Sequence, residues 1–76
     1  MSQYNVYAIK NIVERIIADA RDTGILFTTI KIDRLEYEDK EIIVKGEYKS
    51  LIEKGCFEIV FNKNLDPMKI NIVMKE

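Results

Sequence analysis

The chain of 76 residues contains no histidine and no tryptophan, one cysteine, one proline and three glycines. Without histidine it lacks the side chain most often used as a general base near neutral pH and as a metal ligand. One cysteine closes no internal disulfide, so Cys56 points to a reducing compartment or to indifference to redox state. Gly24, Gly46 and Gly55 stand singly, which excludes a glycine-rich phosphate loop. No stretch approaches the roughly 18 apolar residues of a membrane-spanning helix. The opening MSQYNVYAIKNIVERIIADARD lacks the basic start and unbroken apolar run of a secretory signal. The expected location is therefore the cytoplasm, with no membrane partner.

Charge is balanced as well as plentiful. Twelve Lys and Arg face thirteen Asp and Glu, for a net charge of -1. A domain that grips nucleic acid through its phosphates usually carries a basic excess or stripe, and none stands out here. With 47% hydrophobic and 33% charged residues the composition is that of a globular protein. Its wealth of Ile and Lys suits an archaeal or thermophilic source or an AT-rich genome. The length allows one domain, residues 1–76, with one core. A fold this small buries only about 60% of the surface of its unfolded chain, and association with a second copy is a common remedy.

What is present is apolar periodicity, first helical and then that of strands. Ile9, Ile12, Val13, Ile16, Ile17 and Ala20 fall on one stripe of a helix over residues 4–22. Ser2 or Asn5 offers a start cap, and Gly24 a left-handed stop. Four isoleucines and two valines give this helix poor intrinsic propensity, so it depends on packing. The period then becomes two. Strands are expected at 25–37, 41–49, 56–62 and 68–75, joined by short links at 38–40, 50–55 and 63–67. The first strand slips phase between Ile32 and Leu35, which predicts a bulge near Asp33 and Arg34. Short links make neighbouring strands antiparallel. The expected fold is α+β in two layers: an N-terminal helix on a four-stranded antiparallel meander, in the order α-β-β-β-β. Gly46, in mid-strand under the helix, would admit the helix or Phe57 closely. This element order resembles the cystatin-like arrangement. The resemblance covers the order of elements only: the strands hold no QxVxG sequence, so protease inhibition is not carried over.

A two-layer fold leaves one sheet face to water, where polar residues are the rule. Phe27, Ile43, Val60 and Val73 depart from it on that face, near Cys56, and Leu51 and Ile52 add apolar area in the second link. Ile43 opposite Val60 would also set Lys45 opposite Glu58. These six residues form the predicted interaction surface. Burial of that face, or of an edge strand, would serve a homodimer or a different protein partner. The alternative is a weak nucleic-acid module using Lys31, Lys45, Lys69 and Lys75. Tyr4, Tyr7, Tyr37 and Tyr48 fit that role less well than as residues at the core's rim with hydroxyls in water. No catalytic residue, metal ligand or cofactor site is expected. As a nucleophile Cys56 would need a base, and only carboxylates or Lys are on offer, so a structural cysteine is expected; the acids of the first hairpin (Asp33, Glu36, Glu38, Asp39 and Glu41) lack calcium-loop spacing. A non-enzymatic accessory domain is the expected role.

Overall fold

The computed structural model describes residues 6–21 and 27–75. It consists of helix α1 (Val6–Arg21) followed by strands β1 (Thr29–Tyr37), β2 (Glu41–Lys49), β3 (Lys54–Asn62) and β4 (Pro67–Lys75). The strands form one antiparallel sheet in the order β1-β2-β3-β4. This is the α-β-β-β-β meander that the periodicity predicts. The proposed caps Ser2, Asn5 and Gly24 lie outside the described residues, as do Tyr4 and Leu26. Among the described residues, no helix is long and apolar enough to cross a membrane.

The helical stripe is covered from Ile9 to Ile17, but at its end Ala18 is buried and Ala20 is exposed, so the buried face turns before Ala20. Ile9, Val13 and Ile17 are wholly buried against Ile42, Val44, Tyr48, Phe57, Ile59 and Phe61 of the sheet. In β2 and β3 the burial pattern alternates residue by residue, because successive side chains point to opposite faces. β1 alternates only as far as Ile32. Its register against β2 then shifts between Ile32 and Arg34, so Asp33 is the extra residue of a bulge.

Three strand boundaries differ from the pattern-based ones. β1 starts at Thr29, which pairs with Lys49, the last residue of β2. The chain turns away at Ser50, so the β1–β2 ladder begins at the Thr29–Lys49 pair. β3 starts two residues early, at Lys54, because the link is a four-residue turn. There the Ser50 amide donates to the Glu53 carbonyl at 2.8 Å, and the Ser50 hydroxyl accepts from the amides of Ile52 and Glu53 at 3.3 and 3.2 Å. Pro67 opens β4, a position where its missing N–H costs no ladder bond. The turn before it is held by the Asn62 side chain, whose Oδ1 accepts from the amides of Asn64 and Asp66 at 2.8 and 3.0 Å. Leu65 in that turn adopts φ 63°, the left-handed region.

Two glycines set how closely neighbouring strands and their side chains fit. A side-chain carbon at Gly46 would collide with the Lys31 carbonyl of the bulged strand and lie 2.9 Å from Phe57 Cζ. Phe57 and β1, rather than the helix, claim that space. At Gly55, in β3 rather than in the link, the same carbon would meet Tyr48 Cε1 at 2.7 Å and the Val73 carbonyl. Gly46→Val should therefore destabilise by the upper part of the about 1–3 kcal/mol typical of overpacking. In a domain of this size each kcal/mol lowers the melting temperature by about 4–8 °C. A thermal melt followed by circular dichroism checks this, and an unchanged midpoint would remove the close-packing role.

Candidate protein-interaction surface

Cross-strand pairing assigns every strand residue to a face, since directly opposed residues project to the same side. On the side away from the helix the sheet carries successive rows. One is Thr29, Lys49, Lys54 and Lys75; the next is Lys31, Glu47, Cys56 and Val73. Then come Arg34, Lys45, Glu58 and Asn71, followed by Glu36, Ile43, Val60 and Lys69. Ile43 does sit opposite Val60, and Lys45 opposite Glu58.

The six predicted interaction residues do not come together as one patch. Ile43 and Val60 are adjacent and half-buried, flanked by Glu36 and Lys69. Val73 is exposed beside Cys56, separated from that pair by the row that holds Glu58 and Asn71. Phe27 is exposed before the start of β1. Leu51 and Ile52 project from the tip of the β2–β3 turn, 77% and 75% exposed. The open face is thus charged, with small apolar islands.

The larger apolar exposure lies on the helix side, along β4. Ile70, Ile72 and Met74 pair with Ile59, Phe57 and Gly55, whose side of the sheet is the core side. Yet Ile70 is 46% exposed and Met74 50%, and Met68, the extra residue of a second bulge, is 60% exposed. Only Ile72 is half-buried in the whole strand. At the Pro67 end of β4 a shallow cavity of about 290 Å³ runs beside the helix, lined by Asn11, Ile12, Arg15, Ile16, Asp19 and Pro67. The alternating residues Met68, Ile70, Ile72 and Met74 announce this strip in the sequence. What the sequence does not announce is that the helix leaves it bare.

The lysines divide in the same way. Lys75 and Lys31 lie at one end of the sheet with Lys49 and Lys54, around a cavity of about 290 Å³. Lys49, Lys54 and Lys75 are directly opposed on three neighbouring strands, which is mutually unfavourable. Lys45, by contrast, faces Glu58, and Lys69 stands at the far end opposite Val60. The Lys75 ammonium is held more firmly protonated by the Cys56 sulfur and then by Glu47, whose carboxylate is 3.9 Å away. Among the described residues, no group of three or more His, Cys, Asp or Glu is placed to hold a metal ion.

A polar cluster that the sequence pattern does not reveal fastens the helix to the sheet. Glu53 accepts from Arg21 Nε at 2.7 Å and Nη2 at 3.2 Å, and from the Tyr48 hydroxyl at 2.5 Å. Tyr48 is therefore a core residue whose hydroxyl meets a carboxylate rather than water. Arg21 Nη2 also lies 3.6 Å from Met74 Sδ. Arg21 and Tyr48 hold the Glu53 carboxyl below the ordinary carboxylate range. Burial raises the Tyr48 phenol, and its bond to Glu53 acts in the same direction. Arg21 and Glu53 are 32 residues apart, so no local spacing announces the pair.

Comparison with protein-family models, curated proteins and solved structures finds no match to this chain.

Because the folded pKa of Glu53 is lowered, its ionised form stabilises the fold above the ordinary carboxylate range, and that contribution fades as pH falls through the lowered value. Glu53→Gln should lower the melting temperature at neutral pH, and the gap to the parent should narrow below about pH 4. Melts of both proteins across an acid series test this. A gap that stays constant would assign Glu53 a role independent of its charge.

Proposed function

We propose that this chain is a non-enzymatic interaction domain that works as a homodimer, and that association buries the bare helix-side strip of β4. The observation that carries the proposal is the exposure of Ile70 and Met74 on the side of the sheet where their strand neighbours form the core. Apolar side chains on a core face are ordinarily covered, and a small domain gains most from covering them with a second copy. In such an assembly the protein acts as an accessory or adaptor subunit, presenting its charged open face outward. Ile43, Val60 and Val73 then contribute small apolar islands to a surface that a further protein partner can read, with Leu51 and Ile52 at its rim.

A second reading is supported by the opposed lysines Lys49, Lys54 and Lys75, with Lys31 beside them. A polyanion such as nucleic acid would relieve their repulsion. Salt separates the two: apolar association tolerates or gains from it, whereas phosphate binding falls steeply.

Light scattering behind a sizing column should give a mass near twice 8.9 kDa that persists at high salt. Ile70→Glu and Met74→Glu should each shift the protein to monomer while retaining its circular dichroism spectrum. Ile43→Glu and Val60→Lys should leave the dimer intact. The reverse pattern would move the interface to the open face, and a monomer at all concentrations would overturn the homodimer.

A further inference from the structure

The two edges of the sheet are unlike. β1 carries Lys31, Asp33, Arg34 and Glu36, and its ladder is broken by the bulge at Asp33. Charges and bulges are the usual means by which an edge is kept from pairing with another chain. β4 carries only Lys69 and Lys75, no charge between Ile70 and Met74, and its bulge at Met68 lies near one end. Residues Met68 to Met74 read Met-Lys-Ile-Asn-Ile-Val-Met. On the helix side this is Met, Ile, Ile, Met in either direction, with Asn71 at its centre. A two-fold interface brings one surface against itself, so it needs such self-complementarity.

We propose that β4 pairs antiparallel with β4 of a second copy about a two-fold axis at Asn71, joining two four-stranded sheets into one. This rests on the homodimer reading and specifies its geometry. Register discriminates among the alternatives. A slip of one residue would set apolar residues against the polar face, so registers change by two. Centring on Asn71 pairs the strand outward from the axis as far as the bulge at Met68. Ile70 then faces Ile72 of the second copy and Lys69 faces Val73, with Met74 reaching the bulged Met68. Centring on Ile72 would set Lys69 against Lys75, a like-charge pair. Centring on Ile70 would leave Met74 and Lys75 without opposite strand residues. The Asn71 register alone keeps the lysines apart and gives Met74 an opposite residue on the strand. Both helices then lie on the same side of the joined sheet, and the methionines and isoleucines of the two strands meet in the trough between them. On the other side two Asn71 side chains meet at the axis, where each amide offers a donor and an acceptor to the other.

Cysteine cross-linking tests the register. In a Cys56→Ser background, Asn71→Cys places two thiols on directly opposite residues, within disulfide reach after small adjustment. Mild oxidation should convert most of this variant to a covalent dimer on a non-reducing gel. The double variant Lys69→Cys, Val73→Cys should link as well, whereas Ile43→Cys should not. A protein that retains twice its chain mass but links through Ile43→Cys and not Asn71→Cys would overturn the β4 pairing and leave the homodimer reading standing. A protein that is monomeric throughout overturns both. Amide exchange on the unmodified chain is the second readout. Dilution should speed exchange in β4 and leave β1 unchanged; equal speeding of both edges, or none in β4, would overturn the proposal.

Discussion

A single helix is narrower than a four-stranded sheet, and the rest of this structure follows from that mismatch. Four strands at about 4.8 Å spacing make a sheet about 19 Å wide, while a helix with its side chains measures about 10–12 Å across. The helix can seal part of one face and no more. Here the sealed part is built by β1, β2 and β3, with Ile30, Ile42, Val44, Ile59 and Phe61 buried beneath Ile9, Val13 and Ile17. The fourth strand continues the apolar pattern beyond the cover. Its residues keep core-like identities in a solvent-facing position, and this leaves an exposed apolar strip along one side of the molecule.

The sealed part is held by fit at two glycines and by one polar clamp. Gly46 admits Phe57 against the bulged strand, and Gly55 admits Tyr48. Tyr48 in turn brings its hydroxyl to Glu53, where Arg21 from the last turn of the helix arrives. The clamp matters because the helix is rich in β-branched residues and has little propensity of its own. Arg21 ties its C-terminal end to the β2–β3 turn, while the serine-closed geometry of that turn holds Glu53 in place.

Most of the fold was legible because each element carries a clear period. The helical stripe from Ile9 to Ile17, the alternation of β2 and the phase slip at Asp33 are all local signals, and short links make a meander the simplest connection. The misplaced strand starts depend on pairing and on turn bonds that period two does not show. β1 starts only where β2 offers a partner, at Lys49, and β3 begins early because Ser50 tightens the turn. The interaction surface was the least legible part. Period two shows that Ile43, Val60 and Val73 share a face, but their grouping depends on register across three strands, and Glu58 and Asn71 fall between them. Alternation likewise puts Ile70 and Met74 on the core side without revealing where the helix ends its cover. The clamp joins residues far apart in sequence, and neither Arg21 nor Glu53 sits in a pattern that marks it out.

The bulge at Asp33 bears on how far any assembly can grow. A sheet with two receptive edges can add copies at both ends, and nothing in its geometry stops the series short of a fibre. In this chain β1 is kinked at its centre and charged along its length, while β4 is bulged only near its Pro67 end and is apolar between Lys69 and Lys75 apart from Asn71. Copies that met β4 to β4 would leave only the kinked edges outward, and growth would terminate at the second molecule. One inserted residue, far from such a contact, would thereby set the difference between a finite particle and an open-ended polymer.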